Sequence, residues 1–431
     1  MKEVINLRQQ LLKSFMSLGA MHMLGLTVIM LSSIVLARTL GPEAFGQYAF
    51  VMALLTLLAL PVAGGVPQLL TREVATCAHA GEWPLYRGVV RAAHFWVMLV
   101  SLGVLSLYAI AGPVAGLLPV GGKWALIGIV VVLVPFQGLN AVRNGTVKGL
   151  GFPALAEMPT QMIQPLLLLT AVATLAALGW LTAHTALWLQ VLAGALTFVV
   201  ASILFFRIRP QDARACQPAY RTGAWLWALL PFTLISLVGA FSGQIGIVLL
   251  GLLGTDEAVA ALRVGERGAQ LVLLSLTLVN MVISPSIVKT YREGDTHRLQ
   301  QLSRQSARGA FLLALPIGIL LIVLGKPIIK LVFGADYAEI SYLPMAILIC
   351  GYLFHVVLGS AGILLAMCGH ERLTLLSQLA GLGTMVILAL VLIPALQETG
   401  AALASTAGVV VWTILQGYAV SRHLKIRPGI L

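Results

Sequence analysis

Twelve stretches of this chain are apolar over about the twenty residues that a helix needs to cross a bilayer. They are 15–37, 48–70, 92–112, 124–142, 158–179, 185–206, 225–252, 263–287, 309–325, 341–366, 374–395 and 401–421. That succession leaves room for no soluble domain. In lipid every backbone polar group must be paired within the fold, so helices or a closed barrel are the options. Runs such as Val130-Val131-Val132-Leu133-Val134 lack the two-residue alternation of barrel strands. The expectation is an all-α polytopic membrane protein of about 12 transmembrane helices. Charge agrees: only 10% of the 431 residues are charged and 59% are hydrophobic, where a soluble domain carries roughly a quarter charged. A disordered chain, a secreted disulfide scaffold and a nucleic-acid binder are excluded.

The net charge of +12 reads as loop charge rather than as a nucleic-acid surface, because lysine and arginine collect in cytoplasmic loops. With the N-terminus cytoplasmic, 21 of the 27 basic residues fall on that side and 6 on the other. Both termini are therefore expected in the cytoplasm, the amphipathic stretch Met1–Phe15 with Lys2, Arg8 and Lys13 among them. Cys77, Cys216 and Cys368 share that side. No cysteine pair has metal-ligand spacing; Cys77-Ala-His79 lacks a second pair of ligands. Pro61, Pro67, Pro135, Pro165, Pro231, Pro285 and Pro316 are expected to kink or break helices. Gly239 and Gly243, four apart, read as a close-packing pair.

Three short motifs recur in order. Leu40-Gly41-Pro42-Glu43-Ala44 matches Leu253-Gly254-Thr255-Asp256-Glu257-Ala258. Val66-Pro67-Gln68 matches Ser284-Pro285-Ser286, and Lys148-Gly149-Leu150-Gly151 matches Cys368-Gly369-His370-Glu371. The offsets are 213, 218 and 220. Two six-helix halves follow, 1–212 and 213–431, expected as pseudo-symmetric lobes around a central cavity. An even number of spans per half relates them by an axis along the membrane normal.

The segment from Ala37 to Ala49, with Arg38-Thr39-Leu40-Gly41-Pro42-Glu43-Ala44-Phe45-Gly46-Gln47-Tyr48 at its centre, resembles the signature of polysaccharide flippases. These belong to the multidrug/oligosaccharidyl-lipid/polysaccharide exporter superfamily. Leu331-Val332-Phe333-Gly334-Ala335-Asp336-Tyr337 and Gly369-His370-Glu371-Arg372 fit the same pattern. The resemblance implies a flippase moving an undecaprenyl-diphosphate-linked oligosaccharide, an O-antigen, capsule or exopolysaccharide unit, from the cytoplasmic to the periplasmic leaflet of a bacterial inner membrane by alternating access. It also implies work alongside a polysaccharide polymerase and a chain-length regulator.

Candidate site residues come from polar faces. In 263–287, Arg263, Glu266, Arg267, Gln270, Thr277 and Ser284 fall on one side at 100° per residue. Intramembrane charge is costly, so this face meets water or protein. It is either an internal salt bridge or a substrate surface. For a diphosphate the arginines suit, because a planar fork grips phosphate oxygens and stays charged. Gln137, Asn140, Asn144 and Lys148 form a second stripe, and Glu157, Thr160, Gln161 and Gln164 a third. Such amides suit hydroxyl-rich sugars, and equally suit helix–helix bonding. Arg38 anchors the signature turn or lines the cavity.

A small-molecule exporter of the multidrug branch and a lipid II flippase are the alternatives within the superfamily. A membrane polymerase or glycosyltransferase is disfavoured, since that chemistry needs paired carboxylates or a histidine on a sizeable loop. There is no GxxxxGK[ST] sequence. Secondary transport without a cofactor is expected, coupled to a proton or sodium ion through Glu157 or Glu266.

Overall fold

The computed structural model describes residues 2–111 and 122–430, without the side chains of residues 2–18, 214, 215 and 285. The side chains of Lys2, Arg8, Lys13 and Pro285, and the last residue of the stretch 92–112, thus lie outside what is described. The helices of the first half are α1 (Lys2–Leu58), α2 (Leu60–Ala63), α3 (Val66–Ala80), α4 (Trp83–Ala109), α5 (Gly122–Val131), α6 (Leu133–Gly149), α7 (Pro153–Met158), α8 (Gln164–Ala177), α9 (Ala183–Ile208) and α10 (Asp212–Ala215). A π turn, Pro159–Ile163, joins α7 to α8. There follow α11 (Thr222–Leu253), α12 (Asp256–Arg292), α13 (Thr296–Val323), α14 (Gly325–Val332), α15 (Ala335–Leu358), α16 (Ala361–Met367) and α17 (Glu371–His423).

Among the described residues, ten helical stretches are long and apolar enough to cross a membrane. Two are of double length, Gly19–Ala80 with 62 residues and Glu371–His423 with 53. A straight 53-residue helix would run about 80 Å, far beyond the ~30 Å of hydrocarbon. Both are interrupted, at Gly41 (φ 75°, ψ 173°) and at Gln397 (φ 49°, ψ −125°). Divided there, the ten stretches supply twelve pieces of span length. The protein is an all-α polytopic membrane protein.

The chain forms two compact units. One comprises Met1–Leu40 and Leu54–Ala240; the other comprises Gly41–Ala53 and Phe241–Leu431. Within the first, α3 packs on α4 and α6, and α6 on α4 and α9. Within the second, α12 packs on α13 and α15, and α15 on α13 and α17. The pattern of neighbours is the same.

The backbone carries the repeat more sharply than the motifs do. Gly81 and Gly294, 213 residues apart, both have φ near +70°, and the second residue after each donates its N–H to the glycine carbonyl. At Gly151, φ 91°, the next residue's N–H reaches back to Val147 O at 3.1 Å. At Gly369, φ 82°, the same bond runs from His370 to Leu365 O at 2.8 Å. This is a glycine-terminated helix end made twice, at an offset of 218 rather than the 220 read from the motif. Gly179 (φ 73°) recurs 218 residues on as Gln397, which takes a positive φ without being glycine.

Proline behaves in two ways. Pro67 occupies the first turn of α3, after the left-handed Gly65, where a missing N–H costs nothing, and Pro61 and Pro165 sit just past the breaks before α2 and α8. Pro231 and Pro316 stay inside α11 and α13. The Gly239/Gly243 pair is corrected: a methyl group at either position would meet nothing within 4 Å. Close approach occurs instead at Gly46, Gly65 and Gly88, where it would strike the backbone of Asp256, Thr233 and Ala219 respectively.

Candidate functional site

A polar constellation starts at the N-terminus of α12. Thr255 caps the helix, its hydroxyl accepting from Ala258 N at 3.2 Å. Asp256 and Glu257 in the first turn match the positive helix end. Two side chains fix this end from other helices. Gln397, at the α17 break, accepts from Thr255 N at 3.2 Å. Gln47, in the signature segment, donates to Asp256 Oδ2 at 3.1 Å. Gly46 lets the signature helix lie directly on the Asp256 carbonyl.

Two turns further, Arg263 forms an ion pair with Glu266 at 3.2 Å, and the two side chains are 12% and 15% exposed. Its other terminal nitrogen donates to Gln244 Oε1 at 3.2 Å. Arg267 donates to Gln270 Oε1 at 3.2 Å, and its buried Nε has no partner. Tyr48 lies within electrostatic range of both arginines, and Tyr352 within range of Glu266. The opposite face of α12 presents Gly265 and Gly268 to Met345 of α15. Small residues there bring the helices together, and the charged face is left turned away. Lower on the stripe, Thr277 bonds back to Leu273 O at 3.1 Å and Ser284 to Asn280 O at 2.5 Å. Those hydroxyls are spent on the helix itself.

In the first unit, Lys148 pairs with Glu157, both side chains about a quarter exposed. Asn144 donates to Ala156 O at 3.1 Å. Gln161 is half-buried, and Gly25 packs on its carbonyl. The second and third stripes therefore meet side by side, but their residues bond to each other and to backbone. The third stripe is corrected in one respect. A uniform 100° per residue does not hold across Pro159–Ile163, a π turn, whose wider spacing rotates Gln164 off the face of Glu157. Arg38 is exposed at the end of the first α1 segment, three residues before the break.

Arg143, one of the 21 basic residues assigned to the cytoplasmic side, is not a loop residue. It lies inside α6, 9% exposed. Its guanidinium stacks on Phe198 at 4.0 Å and donates to Leu139 O at 3.1 Å. It shares a small cavity with Asn140, Asn144 and Thr160. α6 runs on to Gly149, as the stripe ending at Lys148 requires, so position 143 is helical rather than in a loop. Among the described residues, no three His, Cys, Asp or Glu gather as a metal site would require.

A profile for the polysaccharide biosynthesis protein family matches residues 35–342. The chain belongs to this family. It is similar to the "probable low-salt glycan biosynthesis flippase" of Haloferax volcanii, 22% identical over 398 residues, which cover 91% of this chain and 79% of that one. It is likewise similar to the stage V sporulation protein B of Bacillus subtilis, 22% identical over 97% of this chain and 85% of the relative. Among solved structures, an inward-facing multidrug resistance MATE transporter of the MOP superfamily superposes with a TM-score of 0.73 at 14% identity, covering 93% of this chain and 94% of that one. The lipid II flippase MurJ superposes at 0.70, also at 14% identity, covering 94% and 87%. At these identities the likeness is one of fold, so membership rests on the family profile.

Proposed function

We propose that this protein is a flippase that moves an undecaprenyl-diphosphate-linked oligosaccharide from the cytoplasmic to the periplasmic leaflet by alternating access. The observation that carries the reading is the pair Arg263 and Arg267, one turn apart on a membrane helix. Arg263 has its own counter-ion, Glu266. Arg267 donates to an amide instead of forming a direct ion pair and keeps Nε unpaired, an arrangement suited to a transient anion. Family membership and the glycan-biosynthesis relative support a glycan cargo over a small drug. The fold alone is shared with multidrug transporters and with a lipid II flippase and does not choose. The protein would serve a polymerase and a chain-length regulator by delivering their substrate, acting as a transporter rather than an enzyme.

Coupling is assigned to Glu266 or Glu157. Each forms a direct ion pair, with Arg263 and Lys148 respectively, and protonation or sodium binding would release that cation. The test is expression in a strain lacking its lipid-linked glycan transporter, with surface glycan measured per folded protein, alongside flipping in inverted vesicles. Restored glycan, and flipping that stops when proton and sodium gradients are collapsed, are expected. No restoration at normal abundance overturns the transport reading. Undiminished flipping without gradients overturns the coupling.

Orientation is tested by thiol access. Cys77 and Cys368 are buried, and burial pushes the Cys368 thiol up to about 11, so it is little ionised at neutral pH. Cys216 is partly exposed and carries the test. In intact cells an impermeant maleimide is expected to miss Cys216, and after permeabilisation to label it. Labelling in intact cells would place the 207–224 segment outside.

A further inference from the structure

Two hollows in the first unit open on either side of Arg91 in α4. One, about 610 Å³ of open space, lies between the first turns of α4 and the last turns of α9, with Arg87, Arg91 and Arg209 on its walls. The other, about 1380 Å³, runs between α4 and α11, and its walls are Phe95, Leu99, Leu226 and Leu229. Arg91 lines both. It is exposed, and Arg209 is half-buried. The Arg87 guanidinium is engaged with the Cys216 carbonyl. None of the residues lining either hollow is acidic.

Each hollow is also lined by a residue that carries an unsatisfied donor. Tyr86, 1% exposed, lines the basic one, and its hydroxyl has no partner. Trp96 lines the apolar one, and its buried indole N–H has none. Such groups are rarely left unpaired. Neither hollow involves the α12 stripe or the Lys148–Glu157 pair.

We infer that this is a binding site for one anionic glycerophospholipid of the leaflet on which the basic segments lie. Its phosphate sits between Arg91 and Arg209 and accepts from Tyr86. One acyl chain lies along the α4–α11 hollow, and an ester carbonyl accepts from Trp96. Charge selects the occupant: clustered arginines at a membrane surface favour anionic headgroups, and the adjoining apolar hollow, lined by Phe95, Leu99, Leu226 and Leu229, offers a free ion nothing to bind.

The experiment titrates the full-length protein, purified in detergent, with phosphatidylglycerol or with phosphatidylcholine of the same acyl chains, and counts bound lipid by native mass spectrometry. Wild type is expected to prefer phosphatidylglycerol. Arg91→Ala/Arg209→Ala should weaken that binding roughly thirtyfold, the effect of removing two membrane-facing cations, and leave phosphatidylcholine unaffected. Tyr86→Phe, which removes one hydroxyl without changing the packing, should weaken it several-fold. Equal binding of the two lipids by wild type, or a preference that survives the double substitution, overturns the site. Displacement of phosphatidylglycerol by equimolar undecaprenyl phosphate reassigns the site to an isoprenoid lipid. Displacement by millimolar inorganic phosphate reassigns it to a free anion. Either result overturns the phospholipid assignment.

Discussion

Arg267→Ala is expected to lower export of lipid-linked glycan on the order of a hundredfold at unchanged protein abundance. The two arginines of the α12 stripe are not equivalent. Arg263 and Glu266 are a mutually compensated pair, little exposed, with Gln244 as a third member. Removing Arg263 alone strands a carboxylate, and breaking a buried pair costs about 3–5 kcal/mol of stability. Lost export from Arg263→Ala therefore mixes folding with function. Arg267 gives up a hydrogen bond to the Gln270 amide and no direct ion pair. Truncating one member of a hydrogen-bonded charge pair costs about 2–5 kcal/mol when the other member is the substrate, which sets the expected factor. Arg267→Lys should recover part of it, since charge is kept and the fork is lost. The measurement is surface glycan per folded protein in the transporter-deficient strain, with thermal unfolding of the purified variant as control. Full export by Arg267→Ala would reduce the stripe to an internal salt bridge.

Hydropathy and period were enough to read the membrane spans and the α12 face, because both depend on spacing along a regular helix. Three features escaped for physical reasons. Helical arithmetic places Arg263, Glu266 and Arg267 together but does not choose rotamers, so it does not show that Glu266 bonds Arg263 directly while Arg267 bonds the Gln270 amide. The π turn at Pro159–Ile163 changes the period locally, and no composition rule marks it. Which neighbours a helix chooses is also silent in hydropathy: residues 41–53 group with Phe241–Leu431, and residues 222–240 with the first unit. The left-handed residue at 397 is different. Glutamine gives no hint of it, yet the 218-residue repeat from Gly179 does.

The signature segment supplies the other large effect. Gly46→Ala is expected to cost about 3 kcal/mol or more and to leave little folded protein at growth temperature. An added Cβ would sit 1.7 Å from the carbonyl oxygen of Asp256. That atom belongs to a capped helix terminus fixed by Thr255, Gln397 and Gln47. Backbone has no rotamer with which to retreat, so the whole helix start must move, beyond the usual range of overpacking costs. Gln47→Ala removes one hydrogen bond to the same residue and should cost only about 1 kcal/mol. Gly239→Ala and Gly243→Ala are the controls. Open space surrounds both positions, so a methyl group should be neutral, or stabilising by up to about 1 kcal/mol through helix propensity. Thermal midpoints in detergent and the monodisperse fraction on size exclusion separate the four variants. A Gly46→Ala protein as stable as wild type would mean that α12 is free to shift there. The consequence reaches the charged face: Arg263 lies seven residues below Asp256 on one rigid helix, so displacing the cap by an ångström carries the guanidinium with it.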